Sequence, residues 1–353
     1  MTLESTTRLS GLACMAAAAI MLTTGTASAD TLKIGYYIGE KHPLVSAGIK
    51  PFIEEVKAKS GGEIDFQVFP AGQLFKAGDA VTMIQSGAVD IGLIVIPYHR
   101  QEFPISQAVN LPWGWEPWTL TNIYMRATIE DGLIKDEWAK NEMVPLIVAT
   151  NAPYEIASAT KELGDIASIS GLKIRSAGGV SDKVLTAIGA VPVAIPTPET
   201  FESLQRGTID ATVYAFSNWA QMRLQEVLKH ATTNVELAGP SGLTFAISRR
   251  VFDGMSPENQ KILLDAGHAA SLTAQKALLE ENVAALKGFQ TEGLKTYEWS
   301  DADLAALRGK YEAIRAEWEQ EMNAAGRPGT DAIAQIEAFH GAAAANPQDL
   351  PTR

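Results

Sequence analysis

The chain reads Ser203-Leu204-Gln205-Arg206-Gly207-Thr208-Ile209-Asp210, and the same pattern occurs earlier as Met83-Ile84-Gln85-Ser86-Gly87-Ala88-Val89-Asp90. Each copy has the end of a helix, a glycine suited to a left-handed stop, and a strand entered through an aspartate. A second pair occurs in the same order, because Leu172-Lys173-Ile174-Arg175 is similar to Leu32-Lys33-Ile34-Gly35. Two matching pairs in one order predict two lobes of similar α/β topology; the alternative is a single large domain.

The residues around the first copy alternate between strand and helix patterns. Strands are predicted at residues 31–37, 64–69 and 89–96, with helices near 44–58 and 78–86 between them. This alternation is typical of a parallel sheet with crossover helices.

The pattern becomes helical after Ser256. Ser256 followed by Pro257 is typical of a helix start, and few helix breakers occur before about Gln290. Such a helix is long enough to brace both lobes. We therefore expect a signal peptide at 1–29, lobe I at 30–150 plus 240–279, lobe II at 151–239 plus 280–345, and a tail at 346–353.

The first 29 residues have the pattern of a secretory signal. Arg8 is followed by an apolar run at residues 12–22 and by Ala27-Ser28-Ala29, so cleavage is expected before Asp30. The alternatives are an uncleaved anchor or a lipoprotein attached through Cys14. Cys14 is the only cysteine, so the processed chain would have no disulfide, thiol nucleophile or cysteine-bound metal. The expected location is the periplasm.

The composition limits the classes of partner. The formal net charge is −12, which argues against nucleic acid and against anionic lipid as partners. No later segment has the roughly 18 uninterrupted apolar residues of a membrane span, so no direct membrane insertion is expected after signal cleavage.

Enzyme motifs are absent from the sequence. It has no glycine-rich phosphate loop, no G-x-S-x-G elbow and no H-E-x-x-H. The histidines lack metal-ligand spacing: His42, His99, His230, His268 and His340. We predict a protein that is not an enzyme and that has no cofactor and no metal site of its own; the sequence leaves open whether a metal ion assists ligand binding.

Arg175 is the strongest candidate for ligand binding. It ends a predicted strand and precedes Ser176-Ala177-Gly178-Gly179, a link into a helix expected to be capped near Ser181. Open α/β sheets bind ligands at the carboxyl ends of their strands. A guanidinium there is suited to grip a carboxylate through two parallel hydrogen bonds. The alternative is a surface arginine paired with a nearby Asp or Glu.

Aromatic residues at strand ends and in loops form a second group of candidates. Such residues line pockets with an apolar body and a polar tip, although many simply pack beneath loops. The candidates are Tyr37, Tyr98, Tyr154, Tyr214 and Trp219.

At Gly171-Leu172-Lys173-Ile174-Arg175 the sequence resembles the solute-binding proteins of tripartite ATP-independent periplasmic (TRAP) transporters. The resemblance continues through residues 188–192, 196–199 and 204–210, and upstream at His42-Pro43, 70–74 and 111–113. It covers essentially the whole chain after residue 29. It implies a two-lobed periplasmic binding protein of the Venus-flytrap type, which closes on a solute and delivers it to membrane permease subunits. It also implies that Arg175 forms a salt bridge with the carboxylate of the ligand.

Departures from the family pattern bear on the ligand. Sugar-acid-binding relatives carry a second arginine where this chain has Tyr154, and many members carry a Glu-containing pair where it has Val213-Tyr214. Thr197 stands where an aromatic residue is common, and Asn218 completes the set of candidate ligand-binding residues. One fixed positive charge with added tyrosines favours a monocarboxylate with an apolar, aromatic or cationic remainder over a dicarboxylate or sialic acid.

Two other functions stay open on the sequence. The first is a binding protein of another transporter class or of a sensor, and the second is a periplasmic enzyme that uses the same cleft.

Overall fold

The strands of the protein form two sheets. The computed structural model describes residues 30–130, 132–237 and 241–347. The strands in this part of the chain are β1 (Asp30–Gly35), β2 (Ile64–Phe69), β3 (Ile91–Val95), β4 (Met143–Thr150), β5 (Glu155–Ser158), β6 (Lys173–Ser176), β7 (Val191–Ala194), β8 (Ala211–Tyr214), β9 (His230–Thr232), β10 (Gly242–Ser248) and β11 (Lys295–Tyr297).

Helices cover the sheets and connect their strands. A π-helical segment, Leu44–Ile49, leads directly into the first α-helix. The α-helices are α1 (Lys50–Lys59), α2 (Ala80–Gln85), α3 (Pro117–Ile129), α4 (Leu133–Lys140), α5 (Val180–Ala187), α6 (Thr200–Gln205), α7 (Trp219–Met222), α8 (Arg249–Asp253), α9 (Pro257–Thr291), α10 (Asp301–Arg308), α11 (Tyr311–Ala324) and α12 (Gly329–Ala345).

Each sheet is the centre of one lobe. The first has the order β2-β1-β3-β10-β4, and the second has the order β11-β9-β5-β8-β6-β7. Strands joined by crossover helices are parallel, whereas β10 lies antiparallel to β3 and β4, and β5 lies antiparallel to β8 and β9. β3 and β10 are buried along their whole length, as expected where both faces of a sheet are covered. The predicted two-lobed α/β fold is confirmed.

The sequence repeat is also a structural repeat. The carboxylate of Asp90 accepts the backbone N–H of Lys33 at 2.8 Å, and Asp210 accepts that of Lys173 at the same distance. Each aspartate returns its own N–H to the carbonyl of that lysine, at 2.9 Å and 2.8 Å. The preceding glycines have φ of 75° and 69°, in the left-handed region that glycine occupies without strain. Each aspartate therefore fixes where one parallel strand starts beside its neighbour.

The long helix α9 contacts both lobes. Its first half packs on β4, where Ser271 Oγ accepts the N–H of Val148 at 2.9 Å and Gln275 Oε1 accepts that of Thr150 at 2.8 Å. Its second half packs on the turn at Phe216–Asn218 in the second lobe. Ser256 caps the helix as expected, because its hydroxyl accepts the N–H of Asn259.

The C-terminal helices differ from the expected lobe boundary. α11 packs on α5 of the second lobe, where Lys183 forms ion pairs with Glu317 and Glu321. α12 instead packs on α3 of the first lobe, and His340 stacks on Trp115 with 4.0 Å between ring centroids. Residues 329–345, which were expected in lobe II, therefore lie against lobe I. Apolar residues spaced along a helix show that one face is buried, but they do not show which lobe covers it.

The predicted signal peptide at 1–29 lies outside the described residues, as does most of the predicted tail. Within the part of the chain that the structure covers, no helix combines the length and apolar character needed to cross a membrane.

Candidate functional site

The candidate residues of the two lobes meet at the carboxyl ends of the parallel strands. Tyr37 follows β1 and Tyr98 lies in the turn after β3, both in the first lobe. Arg175 lies in the last half of β6, Thr197 follows β7, and Tyr214 ends β8. Because parallel strands place their carboxyl ends on one edge, side chains distant in sequence converge there.

The link after Arg175 differs from the expected helix cap. α5 begins at Val180, and the preceding residue is Gly179, with φ of 65°. Ser176, rather than Ser181, makes the polar contacts of this turn: its hydroxyl accepts the N–H of Gly178 at 3.0 Å and donates to Asp182. These contacts fix the end of β6 and so the direction of the Arg175 side chain.

The guanidinium of Arg175 is buried, with 1% of the residue exposed. Its Nε donates to the carbonyl of Ile195 at 2.8 Å. Its Nη2 donates to the hydroxyl of Tyr98 at 3.1 Å and to Oγ1 of Thr197 at 3.2 Å. The charge also lies 5.3 Å from the centre of the Tyr214 ring, a cation–π distance.

These contacts leave the charge without a counterion. Among the described residues, no Asp or Glu carboxylate lies within 4.0 Å of Arg175, and its Nη1 has no hydrogen-bond acceptor. A buried cation is costly unless it is paired, since neutral acceptors replace only part of its lost hydration. The arrangement is therefore suited to an anion that binds at Nη1.

Four tyrosines form most of the polar wall around this cation. The rings of Tyr37 and Tyr98, from the first lobe, lie 6.3 Å apart, and those of Tyr154 and Tyr214, from the second, lie 5.7 Å apart. The cavity between them measures about 20 Å³, room for about one water molecule, so the lobes are closed on each other. The rest of its lining is Ile38, His42, Leu93, Val95, Asn151, Ala177, Ser241 and Leu243.

The hydroxyls of Tyr37, Tyr154 and Tyr214 are neutral at physiological pH. Burial raises the pKa of Tyr154 to about 12, and it raises the pKa values of Tyr37 and Tyr214 well above their usual range. Burial also lowers the pKa of His42 to about 3, so its imidazole is uncharged. Among the described residues that line the cavity, Arg175 therefore carries the formal charge alone.

A chain of polar contacts along the wall of the cavity was not predicted from the sequence. The side chain of Asn218 lies near the imidazole of His42, and its Nδ2 donates to Oδ1 of Asn151 at 3.0 Å. Asn151 donates to the hydroxyl of Tyr154 at 2.9 Å, and that hydroxyl donates to Ser241 at 3.2 Å. The chain links the two lobes and orients Tyr154. His42-Pro43 was visible as a family landmark and Asn218 as a candidate residue, but nothing in their spacing revealed that they meet.

Three of the candidate residues do not line the cavity. Thr197 lies one contact behind it, bonded to Arg175, and Asn218 lies behind Asn151. The ring of Trp219 stacks on Phe289 at 5.3 Å, so it packs against α9 and does not face the cavity. The sequence predicted Trp219 as a pocket residue because it lies near a strand end. The turn that follows β8 instead directs its ring toward α9.

The site has no cluster of metal ligands. In the ranges that the structure covers, no three His, Cys, Asp or Glu side chains are grouped as a metal site requires.

Residues 34–321 match the model of the bacterial extracellular solute-binding proteins of family 7. The chain belongs to this family. The family resemblance deduced from the Gly171–Arg175 motif is thereby confirmed, and so is the prediction of a solute-binding protein.

Curated relatives of this family 7 protein are similar along most of its length. The C4-dicarboxylate-binding periplasmic protein DctP of Rhodobacter capsulatus is 25% identical over 296 residues, covering 82% of this chain and 85% of the relative. A solute-binding protein of Albidiferax ferrireducens is 23% identical over 268 residues, covering 72% of this chain and 75% of the relative.

Solved TRAP solute-binding proteins share the fold of this family 7 protein. One from Rhodoferax ferrireducens, in complex with benzoate, has a TM-score of 0.82 at 19% identity, with 90% of this chain and 99% of that chain covered. One from a marine metagenome, in complex with 3-hydroxybenzoate, has a TM-score of 0.81 at 24% identity, with 89% and 98% covered. At these identities the likeness establishes the fold and leaves the ligand open.

Proposed function

We propose that this protein captures a small monocarboxylate with an aromatic or apolar remainder between its two lobes. It delivers that cargo, chemically unchanged, to the membrane subunits of a TRAP-type transporter. The predicted signal peptide and the extracellular family support a periplasmic location.

The observation that carries this proposal is the buried, unpaired charge of Arg175. A carboxylate at Nη1 supplies the missing counterion, and a charge-assisted bond to a guanidinium is among the stronger hydrogen bonds in proteins. The low dielectric of the closed cavity strengthens that ion pair further. Thr197 and the carbonyl of Ile195, in the same lobe as Arg175, hold the guanidinium before the carboxylate arrives, and Tyr98 adds its contact when the lobes close.

The rest of the cavity favours one carboxylate over two. A second carboxylate would need a second buried cation, and the described lining residues offer none besides Arg175. Ile38, Leu93, Val95 and Leu243 provide an apolar wall, and the tyrosine rings provide aromatic faces. Solved relatives hold benzoate and 3-hydroxybenzoate, which have this combination of one acid group and one ring.

Ligand binding is coupled to closure through Tyr98. This first-lobe hydroxyl lies 3.0 Å from Oγ1 of Thr197 and accepts from Arg175, both in the second lobe. A carboxylate that neutralises Arg175 makes the closed arrangement more favourable than the open one. A ligand shifts an equilibrium only through such a difference in affinity between two states.

The test is calorimetry on the purified protein with benzoate, 3-hydroxybenzoate, mandelate and succinate. The aromatic monocarboxylates are expected to bind and succinate to bind far more weakly. Arg175→Ala should cost about 2–4 kcal/mol of binding free energy, because it removes one partner of a desolvated ion pair. Arg206→Ala is the matched control, since Arg206 is exposed and paired with Glu202 on α6.

Unchanged affinity in the Arg175→Ala protein would refute the proposed role of this residue. Mass spectrometry of the released ligand tests the enzymatic alternative, for which conversion of the acid would be required. Transport function is tested by uptake in cells that carry the neighbouring membrane-subunit genes. An ATPase gene in that neighbourhood would point to a different transporter class.

A further inference from the structure

The four tyrosines of the cavity differ in how their hydroxyls are satisfied. The hydroxyl of Tyr98 bonds to Arg175 and Thr197, and that of Tyr214 donates to Thr197 at 3.1 Å. The hydroxyl of Tyr154 lies between Asn151 and Ser241. The hydroxyl of Tyr37 is fully buried and has no hydrogen-bond partner among the described residues.

This unpaired hydroxyl belongs to the cavity and not to the core. Several buried polar atoms lack a partner in the described part of the chain, among them Oγ1 of Thr212 and Nε1 of Trp219. Of the residues to which these atoms belong, Tyr37 lines the interlobe cavity and the others do not. A buried hydroxyl without a partner costs free energy that a correctly placed ligand group recovers.

We propose that the hydroxyl of Tyr37 selects a cargo whose aromatic or apolar remainder carries a hydroxyl group. The proposal rests on the function proposed above and narrows its ligand class to hydroxy-substituted monocarboxylates. Tyr37 is a specificity-determining residue in this account, and Arg175 provides the affinity that all carboxylates share.

The contacts of the guanidinium assign Tyr37 to the remainder of the ligand and not to the carboxylate. The groups hydrogen-bonded to the guanidinium are Tyr98, Thr197 and the carbonyl of Ile195. Tyr37 makes no such bond; its ring lies 6.3 Å from that of Tyr98, and the apolar side chains of Ile38 and Leu93 line the same cavity.

The Tyr37 hydroxyl and a hydroxyl group on the ligand are also chemically suited to each other. Burial keeps the pKa of Tyr37 well above its usual value, so the side chain is a neutral phenol that both donates and accepts. An aliphatic or phenolic hydroxyl likewise donates and accepts, whereas a methyl group or ring hydrogen leaves the tyrosine unsatisfied. Sites built around such a bond reject the ligand that lacks the polar group.

The experiment compares ligands that differ by one hydroxyl, in the wild-type protein and in Tyr37→Phe. Dissociation constants are measured by calorimetry for benzoate with 3-hydroxybenzoate, and for phenylacetate with mandelate and 3-hydroxyphenylacetate. In at least one pair the wild type should prefer the hydroxylated acid by about 10-fold or more. Tyr37→Phe should reduce that preference to within about 2-fold by weakening the hydroxylated ligand alone.

Tyr36→Phe is the matched control, because Tyr36 is the adjacent buried tyrosine, packs on Phe245, and does not line the cavity. It should keep the wild-type preference. A thermal melt of each variant establishes that it is folded, and the ligand comparison in the wild type needs no variant.

Three results would overturn the inference, and they differ from failure of the proposed function. Equal affinities within every pair in the wild type would show that no hydroxyl is selected. A preference that Tyr37→Phe leaves intact would assign selection to another residue. Equal weakening of all acids by Tyr37→Phe would assign its hydroxyl to the carboxylate. Absence of binding by every acid would instead refute the aromatic monocarboxylate proposal on which the inference rests.

Discussion

At the scale of single residues, one hydroxyl controls the geometry of the cation. Oγ1 of Thr197 lies 3.2 Å from Nη2 of Arg175, 3.0 Å from the hydroxyl of Tyr98 and 3.1 Å from that of Tyr214. A hydroxyl has one proton and two lone pairs, so these three contacts use its full capacity. An aromatic residue at this position, as the family pattern would have, could not make these three contacts.

A second buried residue, Glu155, makes the stability of the protein depend on pH. The buried carboxyl of Glu155, at the start of β5, accepts the N–H groups of Val235 and Glu236 at 3.2 Å and the hydroxyl of Thr232. These partners lie at or just after the end of β9, on the path back to the first lobe. Burial raises the pKa of Glu155 from 4.5 to about 7, although these hydrogen bonds act in the opposite direction.

We expect Glu155 to make the wild-type protein less stable as pH rises. Between about pH 4.5 and 7 the folded protein retains a proton on Glu155 that the unfolded chain has lost. The contribution of Glu155 to the free energy of unfolding therefore falls across this interval, by up to roughly 3 kcal/mol, and changes no further above it. The buried His42 acts in the opposite direction but is the same in both proteins, so a comparison with a Glu155 variant isolates the effect of Glu155. Chemical unfolding of wild type and Glu155→Gln at pH 5 and pH 8 measures the effect. The difference between the two proteins should shift in favour of the variant at pH 8, and a difference independent of pH would contradict the prediction.

At the scale of elements, the long helix α9 depends on a close approach to β4. A Cβ atom added at Gly267 would overlap the carbonyl oxygen of Leu146 and lie 2.9 Å from its carbonyl carbon. Both are backbone atoms and cannot move without displacing the strand. Near the other end of the same helix, Gly288 is exposed, and a Cβ atom there would meet nothing within 4 Å.

The two glycines should respond to alanine in opposite directions. Gly267→Ala should destabilise the protein by about 1–3 kcal/mol, since the clash outweighs the gain in helix propensity. Gly288→Ala should stabilise it by roughly 0.5–1 kcal/mol through that propensity alone. Thermal unfolding of both variants beside the wild type tests the pair. Equal effects of the two substitutions would contradict the close approach of α9 to β4 at Gly267.

At the scale of the whole molecule, an acidic protein must attract an anion. The sequence has 41 acidic and 29 basic side chains, so its average field repels a carboxylate. Screening reduces this repulsion beyond about 8–10 Å at moderate salt, whereas the buried Arg175 acts at contact distance. The closed lobes shield the ion pair between Arg175 and the ligand carboxylate from solvent, so the distant surface charges have little effect on it.

Closure should be visible as a change in overall dimensions. The structure has the lobes closed on a cavity of about 20 Å³, so an organic acid must enter while the lobes are apart, and the lobes must then close less tightly around it than they do here. Saturating aromatic acid should therefore lower the radius of gyration measured by small-angle X-ray scattering, because the ion pair favours the closed state. Arg175→Ala at the same ligand concentration should show no decrease. A wild-type radius that is unchanged by a ligand bound in calorimetry would contradict closure upon binding.

Contacts outside the cavity also contribute to the closed arrangement. The guanidinium of Arg315, on α11, donates to the carbonyl of Pro112 at 2.7 Å and lies 5.1 Å from the centre of the Trp113 ring. α11 packs on the second lobe, whereas Pro112 and Trp113 precede α3 of the first. The C-terminal helices thus form a connection between the lobes in addition to α9.

The sequence by itself determined the features that depend on neighbours in the chain. The helix ends with their glycine stops and the Ser256 cap arise from local hydrogen bonds, and the strand that carries Arg175 is recognised by its side-chain pattern. These interactions involve residues a few positions apart, so their pattern is visible without coordinates.

Only the tertiary structure decided which side chains face the cavity. Tyr98 reaches Arg175, and Tyr37 lines the same cavity, because two sheets meet at their strand ends. Trp219 instead turns toward α9, and residues 329–345 return to the first lobe. The chain His42–Asn218–Asn151 likewise joins residues far apart in sequence. Periodicity shows that a face is buried, but packing between distant elements selects its partner and determines which polar groups are left for a ligand.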